Sequence, residues 1–342
     1  MLKSRALFFT APKQLEIREN QLPSLQENAV LVECICSAIS AGTEMLVYRG
    51  QFPQVVEVYD QVSSSLNYPQ SYGYASVGKI IELGKSVDQK WLNKIVFAFQ
   101  PHASHFIATL DSLIEVPQGI SPQTASFLPS METAVNLVQD GAPVLGEHVL
   151  VLGQGIVGLL TASLLMEFPL ASLATADQYE TRRNALMVEN QRSQFHNLRP
   201  LPFDPWAGDF HKLAKSVLQE GADLTFELSG SPSALNDAIA LTRFSGRVVI
   251  GSWYGKKRAE VDLGGAFHRS RVKLISSQVS TIAPELSGRW DKARRFNVTW
   301  EALKRITPEK WITHRFSLED AGRAYQLLDK SPQEAIQILF EY

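Results

Sequence analysis

The alternation of apolar and polar positions changes character once along the 342-residue chain. Up to about Pro129, short runs alternate with period two, among them residues 29–36, 76–83 and 94–99, and Gly, Pro and Asn separate them. Period-two alternation predicts strands, so the first part reads as a β-rich domain. From Met131 onward, short apolar strands alternate with longer amphipathic segments, the texture of βαβ units in a parallel sheet. Strands are predicted at 148–152, 173–176, 224–228 and 247–251, with 272–277 closing the sheet. A helix is expected around 289–306 and a last strand over 335–342. The fold class is therefore α/β, with a doubly wound parallel-sheet domain over 130–278 and a β-rich domain formed by 1–129 and 279–342.

Composition leaves this picture intact and removes some functions. Apolar residues make up 45% of the chain and charged residues 20%, ordinary for a soluble globular protein. A net charge of −2 gives no reason to bind nucleic acid, which needs a concentrated basic surface. The densest basic runs, Lys256-Lys257-Arg258 and 289–295, read as solvated faces, the second with the alternative of bordering a carboxylate-bearing substrate. Residues 148–166 carry no formal charge, close to the length that spans a bilayer, but Gly153, Gly155 and Gly158 break the stretch into a strand and a helix. No membrane span is expected. The amino terminus lacks the apolar segment of a signal peptide, which makes the cytoplasm the expected location. Cys34 and Cys36, two apart on one predicted strand, read as core thiols and not as a disulfide.

Candidate chemistry centres on Gly153-Gln154-Gly155-Ile156-Val157-Gly158, which follows a strand and opens a helix. The first glycine permits a tight turn, the second lets a pyrophosphate approach the backbone, and the third lets helix and strand pack closely. Asp177, ending the next predicted strand, is placed to accept from a ribose hydroxyl. That favours NAD, because a carboxylate repels the 2′-phosphate of NADP, while Arg182 and Arg183 could attract that phosphate or form a solvated helix face. Sheet strands present their carboxyl ends to the ligand, so Ser229, Gly251, Ser252 and Ser277 join Gly153, Gly155, Ile156, Val157, Gly158, Asp177 and Arg182 as expected cofactor contacts.

The order of parts, a β-rich start, a GxGxxG domain and a β-ending tail, resembles the medium-chain dehydrogenase/reductase family over almost the whole chain. Local marks are Ser40-Ala41-Gly42-Thr43-Glu44, Tyr72-Gly73-Tyr74-Ala75-Ser76-Val77-Gly78, Pro101-His102-Ala103-Ser104-His105-Phe106, Met131-Glu132-Thr133-Ala134 and Glu227-Leu228-Ser229-Gly230. Several look like the branch containing bacteriochlorophyllide dehydrogenases. The resemblance implies a GroES-like first domain, a Rossmann second domain, Thr133 beside the nicotinamide and a homodimer paired through edge strands of the cofactor domains. Where zinc-using members carry their catalytic ligands, this chain has Ala41, Tyr74 and about Pro129, so no bound metal is expected. His102 and His105 are spaced i, i+3, but on an extended strand they face opposite sides.

Hydride transfer to a carbonyl builds negative charge on oxygen, and without zinc hydrogen-bond donors must meet it. The resemblance puts Thr43 at the proton-relay hydroxyl and Tyr74 where a ligand histidine would stand. His102 is a candidate proton carrier to solvent, and Glu132 either a catalytic carboxylate or a helix-terminal one; Glu44 is expected at most to orient its loop. The implied activity is zinc-independent, NAD(P)-dependent interconversion of carbonyl and alcohol on an apolar small molecule, aliphatic or aromatic. Reduction of a quinone or activated alkene, and non-catalytic nucleotide binding, stay open as alternatives.

Overall fold

The computed structural model describes residues 3–53, 67–186 and 200–342. In chain order the elements are β1 (Lys3–Ala11), β2 (Gln14–Gln21), β3 (Ala29–Ala38), α1 (Ala41–Tyr48), β4 (Gln70–Ser71), β5 (Ser76–Leu83), β6 (Ile95–Ala98), β7 (His105–Thr109), β8 (Leu113–Glu115), α2 (Pro122–Ala125) and α3 (Leu128–Gly141). Then come β9 (His148–Leu152), α4 (Ile156–Leu165), β10 (Ser172–Ala176), α5 (Glu180–Ala185), β11 (Leu201–Phe203), α6 (Phe210–Val217), β12 (Ala222–Glu227), α7 (Ala234–Leu241), β13 (Thr242–Ile250) and β14 (Lys273–Ser276). The chain ends with α8 (Lys292–Ile306), β15 (Ile312–Ser317), α9 (Ala321–Lys330) and β16 (Gln337–Glu341).

Two units form. The first comprises Met1–Pro129 and Leu303–Tyr342, the second Ser130–Ala302. The chain thus returns to the first unit at 303 where the sequence suggested 279. The cause is α8, whose Arg295 is fully buried against Glu132 and Asn136 of α3 and so keeps residues 279–302 with the second unit.

In the first unit one sheet runs β15-β16-β3-β5-β6-β8, with β7 also on β3, and a smaller one runs β2-β1-β4. β3 is the hub: it pairs with β5, β7 and β16, and nearly all its residues are buried on both faces. A register shift against β5 falls between Cys34 and Cys36. Both thiols are buried and free. Burial pushes the Cys36 thiol up to about 12 and that of Cys34 well above its usual range.

The second unit is built on a parallel sheet of order β11-β10-β9-β12-β13-β14. Sequence order reverses at β9, which β10 and β12 flank. Every residue of β9 is buried, as a continuous apolar run demands in a sheet covered on both faces. The charge-free stretch resolves into β9, the glycine turn and α4. Among the described residues no helix is long and apolar enough to cross a membrane. β11 is a strand the pattern did not announce: Leu201-Pro202-Phe203 is short, and its proline is tolerated because the strand lies at the sheet edge.

Candidate functional site

The glycine turn of the second unit has the shape its spacing requires. Gly153 has φ +95°, and a Cβ there would sit 2.6 Å from Leu228 carbonyl atoms. A Cβ on Gly158 would lie 1.9 Å from the Gly153 carbonyl oxygen, so β9 and α4 meet only because position 158 has no side chain. Gly155 has open space where its Cβ would be, and as the residue before α4 it contributes no side-chain cap. Ile156 and Val157 begin the helix, so its first N–H groups are left for an anion. A dinucleotide pyrophosphate fits this cradle.

Asp177 follows β10 and is 7% exposed. Its Oδ2 accepts from the Gln154 N–H and its Oδ1 from the Tyr179 N–H, each at 2.8 Å, so the carboxylate shapes the glycine turn as well as facing it. Arg182 and Arg183 do not form a solvated helix face. The Arg182 guanidinium stacks on Tyr179 at 4.8 Å with Nη1 4.0 Å from Asp177, and Arg183 donates to the Asp177 carbonyl at 2.8 Å.

At the ends of β12 and β13, Glu227 is fully buried and organises the neighbouring loops. It accepts from the Ser229 N–H at 2.9 Å and from the Tyr254 hydroxyl at 2.5 Å, and that contact with burial holds the Tyr254 phenol far above its usual range. Gly230 N–H donates to Ser252 Oγ at 2.9 Å, Lys257 Nζ to the Gly230 carbonyl at 2.7 Å, and Gly251 N–H to the Glu227 carbonyl at 3.1 Å. Ser229, Gly251 and Ser252 are thus gathered at the carboxyl ends of β12 and β13. The sequence offered Glu227 only as part of a family mark and Tyr254 as an aromatic that either flanks the nicotinamide or packs, and their mutual hydrogen bond was not foreseen. Part of the 256–258 basic run, Lys257, is engaged in this lattice and is not a solvated charge.

Three expectations need correction here. Glu132, placed in the catalytic set, is 3% exposed, and its Oε1 accepts from Arg295 Nε at 3.0 Å and Lys292 Nζ at 2.8 Å. It is an ion-pair partner inside the second unit, next to the partly exposed Thr133. Arg295, read as part of a solvated run, is fully buried and also donates to Asn136 Oδ1 at 2.5 Å and to the carbonyls of Val279 and Thr281. Ser277 belongs to the same network: its hydroxyl donates to Asp140 at 2.6 Å and accepts from Asn136 at 2.9 Å, so it is not a free cofactor hydroxyl.

In the first unit the marks around 40–44, 72–74 and 102 converge. Tyr74, partly buried, donates its phenol to Ser40 Oγ and shares a hydrogen bond with Thr43. Burial raises the phenol above its usual range and outweighs those two contacts, so Tyr74 is a neutral donor near neutral pH. Behind this pair Glu44 is fully buried: Oε1 accepts the Ser40 N–H at 2.8 Å, and Oε2 meets His102 Nε2 at 2.9 Å and the Tyr325 hydroxyl. His102 Nδ1 is 2.7 Å from Ser37 Oγ, which is 2.8 Å from the Tyr342 hydroxyl. Gly73, at φ +124°, is required here, because a Cβ would lie 2.7 Å from the His102 ring. Both ring nitrogens of the fully buried His102 are committed to Glu44 and Ser37, which corrects its reading as a proton carrier linking Thr43 and Tyr74 to solvent. His105 opens β7, 3.8 Å from Glu33, its imidazole held below its usual range by burial.

The residues do not suit a zinc ion. Ala41 has no donor atom, Tyr74 offers a protonated phenol, and among the described residues no group of three His, Cys, Asp or Glu side chains is arranged to hold a metal.

No protein-family model matches the chain. It is 24% identical to L-galactonate-5-dehydrogenase of Escherichia coli K12, with 95% of each chain covered, and 22% identical to D-guloside 3-dehydrogenase of the same strain, with 98% of this chain and 99% of that one. Among solved structures, the RspB alcohol dehydrogenase of E. coli CFT073 in complex with NADH aligns over 99% of both chains with TM-score 0.76 and 18% identity. The fold, a GroES-like unit and a Rossmann unit, is that of these enzymes.

Proposed function

We propose that this NAD(P)-dependent dehydrogenase of the zinc-type alcohol dehydrogenase-like group interconverts a carbonyl and a secondary alcohol without a catalytic zinc, using the Tyr74 phenol as the proton donor. The observation that carries this is the Tyr74–Ser40–Thr43 hydroxyl cluster, with Tyr74 where the resemblance puts a ligand histidine and Thr43 at its proton-relay hydroxyl, in a chain whose glycine cradle is intact. The nicotinamide, when bound, supplies a hydride to the carbonyl carbon. The Tyr74 O–H, which donates to Ser40 Oγ before substrate arrives, turns to the oxyanion that grows as the C–O double bond opens and gives it the proton; the Ser40 and Thr43 hydroxyls then turn to donate to the phenolate until solvent returns a proton. Alcohol oxidation runs the same steps backwards.

For the substrate we take a hydroxyl-rich chain such as a polyol or sugar acid in place of an apolar ring, supported by the relatives named for galactonate and guloside. Nothing in the site favours the quinone or the non-catalytic alternative. NAD is the expected cofactor, because the Asp177 carboxylate stands beside the glycine turn. A homodimer formed along the β14 edge is expected and is read by sedimentation.

The test is turnover by protein of measured metal content, with NADH and NADPH and a panel of ketoses and keto-acids. Removing one oxyanion donor costs on the order of 100-fold in kcat. Tyr74→Phe is therefore expected to lose about that factor in protein whose zinc content is far below one per chain. Full activity of Tyr74→Phe, or activity that tracks added zinc, overturns the reading.

A further inference from the structure

Glu44 is more deeply buried than the expected loop contact requires, and its hydrogen bonds are divided in an unusual way. When a helix begins at a serine, an acidic side chain three residues on commonly reaches back to the serine N–H while the serine hydroxyl accepts from the first turn of the helix; at α1 the acid stands one residue further, at Glu44. Only the acid's half of that exchange exists at α1. Glu44 Oε1 accepts the Ser40 N–H at 2.8 Å, but the Ser40 hydroxyl caps nothing and receives the Tyr74 phenol instead. The serine hydroxyl is available to Tyr74 because Glu44 has taken over the anchoring of the turn.

The other oxygen is held equally firmly. His102, Tyr325 and Glu44 are each fully buried, and Oε2 meets both His102 Nε2 and the Tyr325 hydroxyl. With Glu44 as carboxylate every donor finds an acceptor: Nε2–H donates to Glu44, Ser37 donates to Nδ1, and Tyr342 donates to Ser37. Hydrogen bonds to a carboxylate in such surroundings are shorter and stronger than neutral ones.

We propose that Glu44 is a positioning residue for the Tyr74 phenol: through the Ser40 N–H it fixes the Ser40 hydroxyl, and through that hydroxyl the place of the Tyr74 phenol oxygen, with His102 and Tyr325 holding the carboxylate in place. This rests on the reading of Tyr74 as the proton donor. Glu44 touches no reacting atom, so its loss should appear in kcat and leave cofactor binding alone.

Three variants test it. Glu44→Gln keeps an oxygen for the Ser40 N–H, and its NH2 gives one hydrogen to His102 Nε2, which turns His102 to the Nδ1–H tautomer with Ser37 then accepting and Tyr342 accepting from Ser37, and the other to the Tyr325 oxygen, whose own O–H must turn away from position 44. Activity within about threefold of the parent and a changed tautomer in 15N spectra of His102 are expected. Glu44→Leu is expected to lose about 30-fold in kcat with unchanged NADH affinity, a part of what losing a donor outright costs. Ser40→Ala, which leaves the Glu44 anchor in place, should reproduce that loss. In protein labelled with 13Cζ-tyrosine, the Tyr74 resonance, assigned with Tyr74→Phe, should move in Glu44→Leu and Ser40→Ala and stay in Glu44→Gln. The proposal is overturned if Ser40→Ala retains full kcat, if Glu44→Gln loses as much as Glu44→Leu, or if the Tyr74 resonance is the same in all three. Should the parent protein turn over no substrate, the reading of the function fails, and the Tyr74 resonance alone still decides whether Glu44 positions that phenol.

Discussion

Replacing Arg295 by Met removes the charge from a side chain that has no exposed surface, while its volume is largely kept. Four groups lose donors at once: Glu132, Asn136 and the carbonyls of Val279 and Thr281. Removing one member of a buried ion pair costs about 3–5 kcal/mol, since the other charge stays buried. Here the lower part of that range applies, because Lys292, with 42% of its side chain exposed, still reaches Glu132 at 2.8 Å. A loss of about 3–4 kcal/mol is expected, and at roughly 2–4 °C per kcal/mol for a unit of this size the second unit should melt about 6–16 °C lower. The double variant Glu132→Leu with Arg295→Met strands no charge, so it should be more stable than Arg295→Met alone. Calorimetry and urea unfolding of the four proteins give the cycle. A loss below about 1 kcal/mol for Arg295→Met would show that the guanidinium is solvated and the ion pair immaterial. A fifth protein tests the correction to Glu132: Glu132→Gln should lower stability while kcat, measured well below its melting point, changes by no more than a few-fold.

Gly158→Ala is expected to abolish NADH binding in calorimetry, because its Cβ would sit 1.9 Å from a backbone oxygen; unchanged affinity would mean that the turn differs from the one described. Asp177→Asn places an NH2 against one of two backbone N–H donors, and NADH affinity should fall about tenfold or more, which fluorescence titration would detect. Burial lowers the Lys310 ammonium to about 8. Between that value and the unfolded one the unfolded chain binds more protons, so Lys310 makes stability rise with pH across roughly pH 8 to 10.5 and is unfavourable below it. Lys310→Met should remove that rise, and equal pH slopes in the two proteins would refute it.

What the sequence disclosed was what is local. β9, the glycine turn and α4 were legible because strand period, glycine spacing and helix period sit within one short segment, and β5 was predicted to the residue. β13 began at Thr242, earlier than its apolar run: Thr242 pairs with Ala222, and the extra residues of β13 before Arg247 meets Leu224 form an irregularity that the period-two pattern does not show. The polar networks were hidden for a different reason. His102 lies 58 positions from Glu44, Tyr325 lies 281 from it, and Arg295 is 163 from Glu132. Nothing in an arginine inside a basic run distinguishes the one that the fold buries. The usual announcement of such an anchor, an acid three residues after the capping serine, is absent here: Thr43 holds that position and Glu44 follows it, so the spacing did not point to Glu44.

The buried thiols of β3 have a practical use. A thiol held near 12 is ionised in about one molecule in 100,000 at pH 7, and the thiolate is the form that reacts. Maleimide reagents should therefore pass over the native protein, both of whose cysteines lie in this strand. A cysteine introduced at Trp253, which is 39% exposed beside the Glu227 and Tyr254 lattice, would be the sole attachment point for a dye. A label there turns the parent enzyme, with no prior cysteine removal, into an optical reporter of nucleotide arrival.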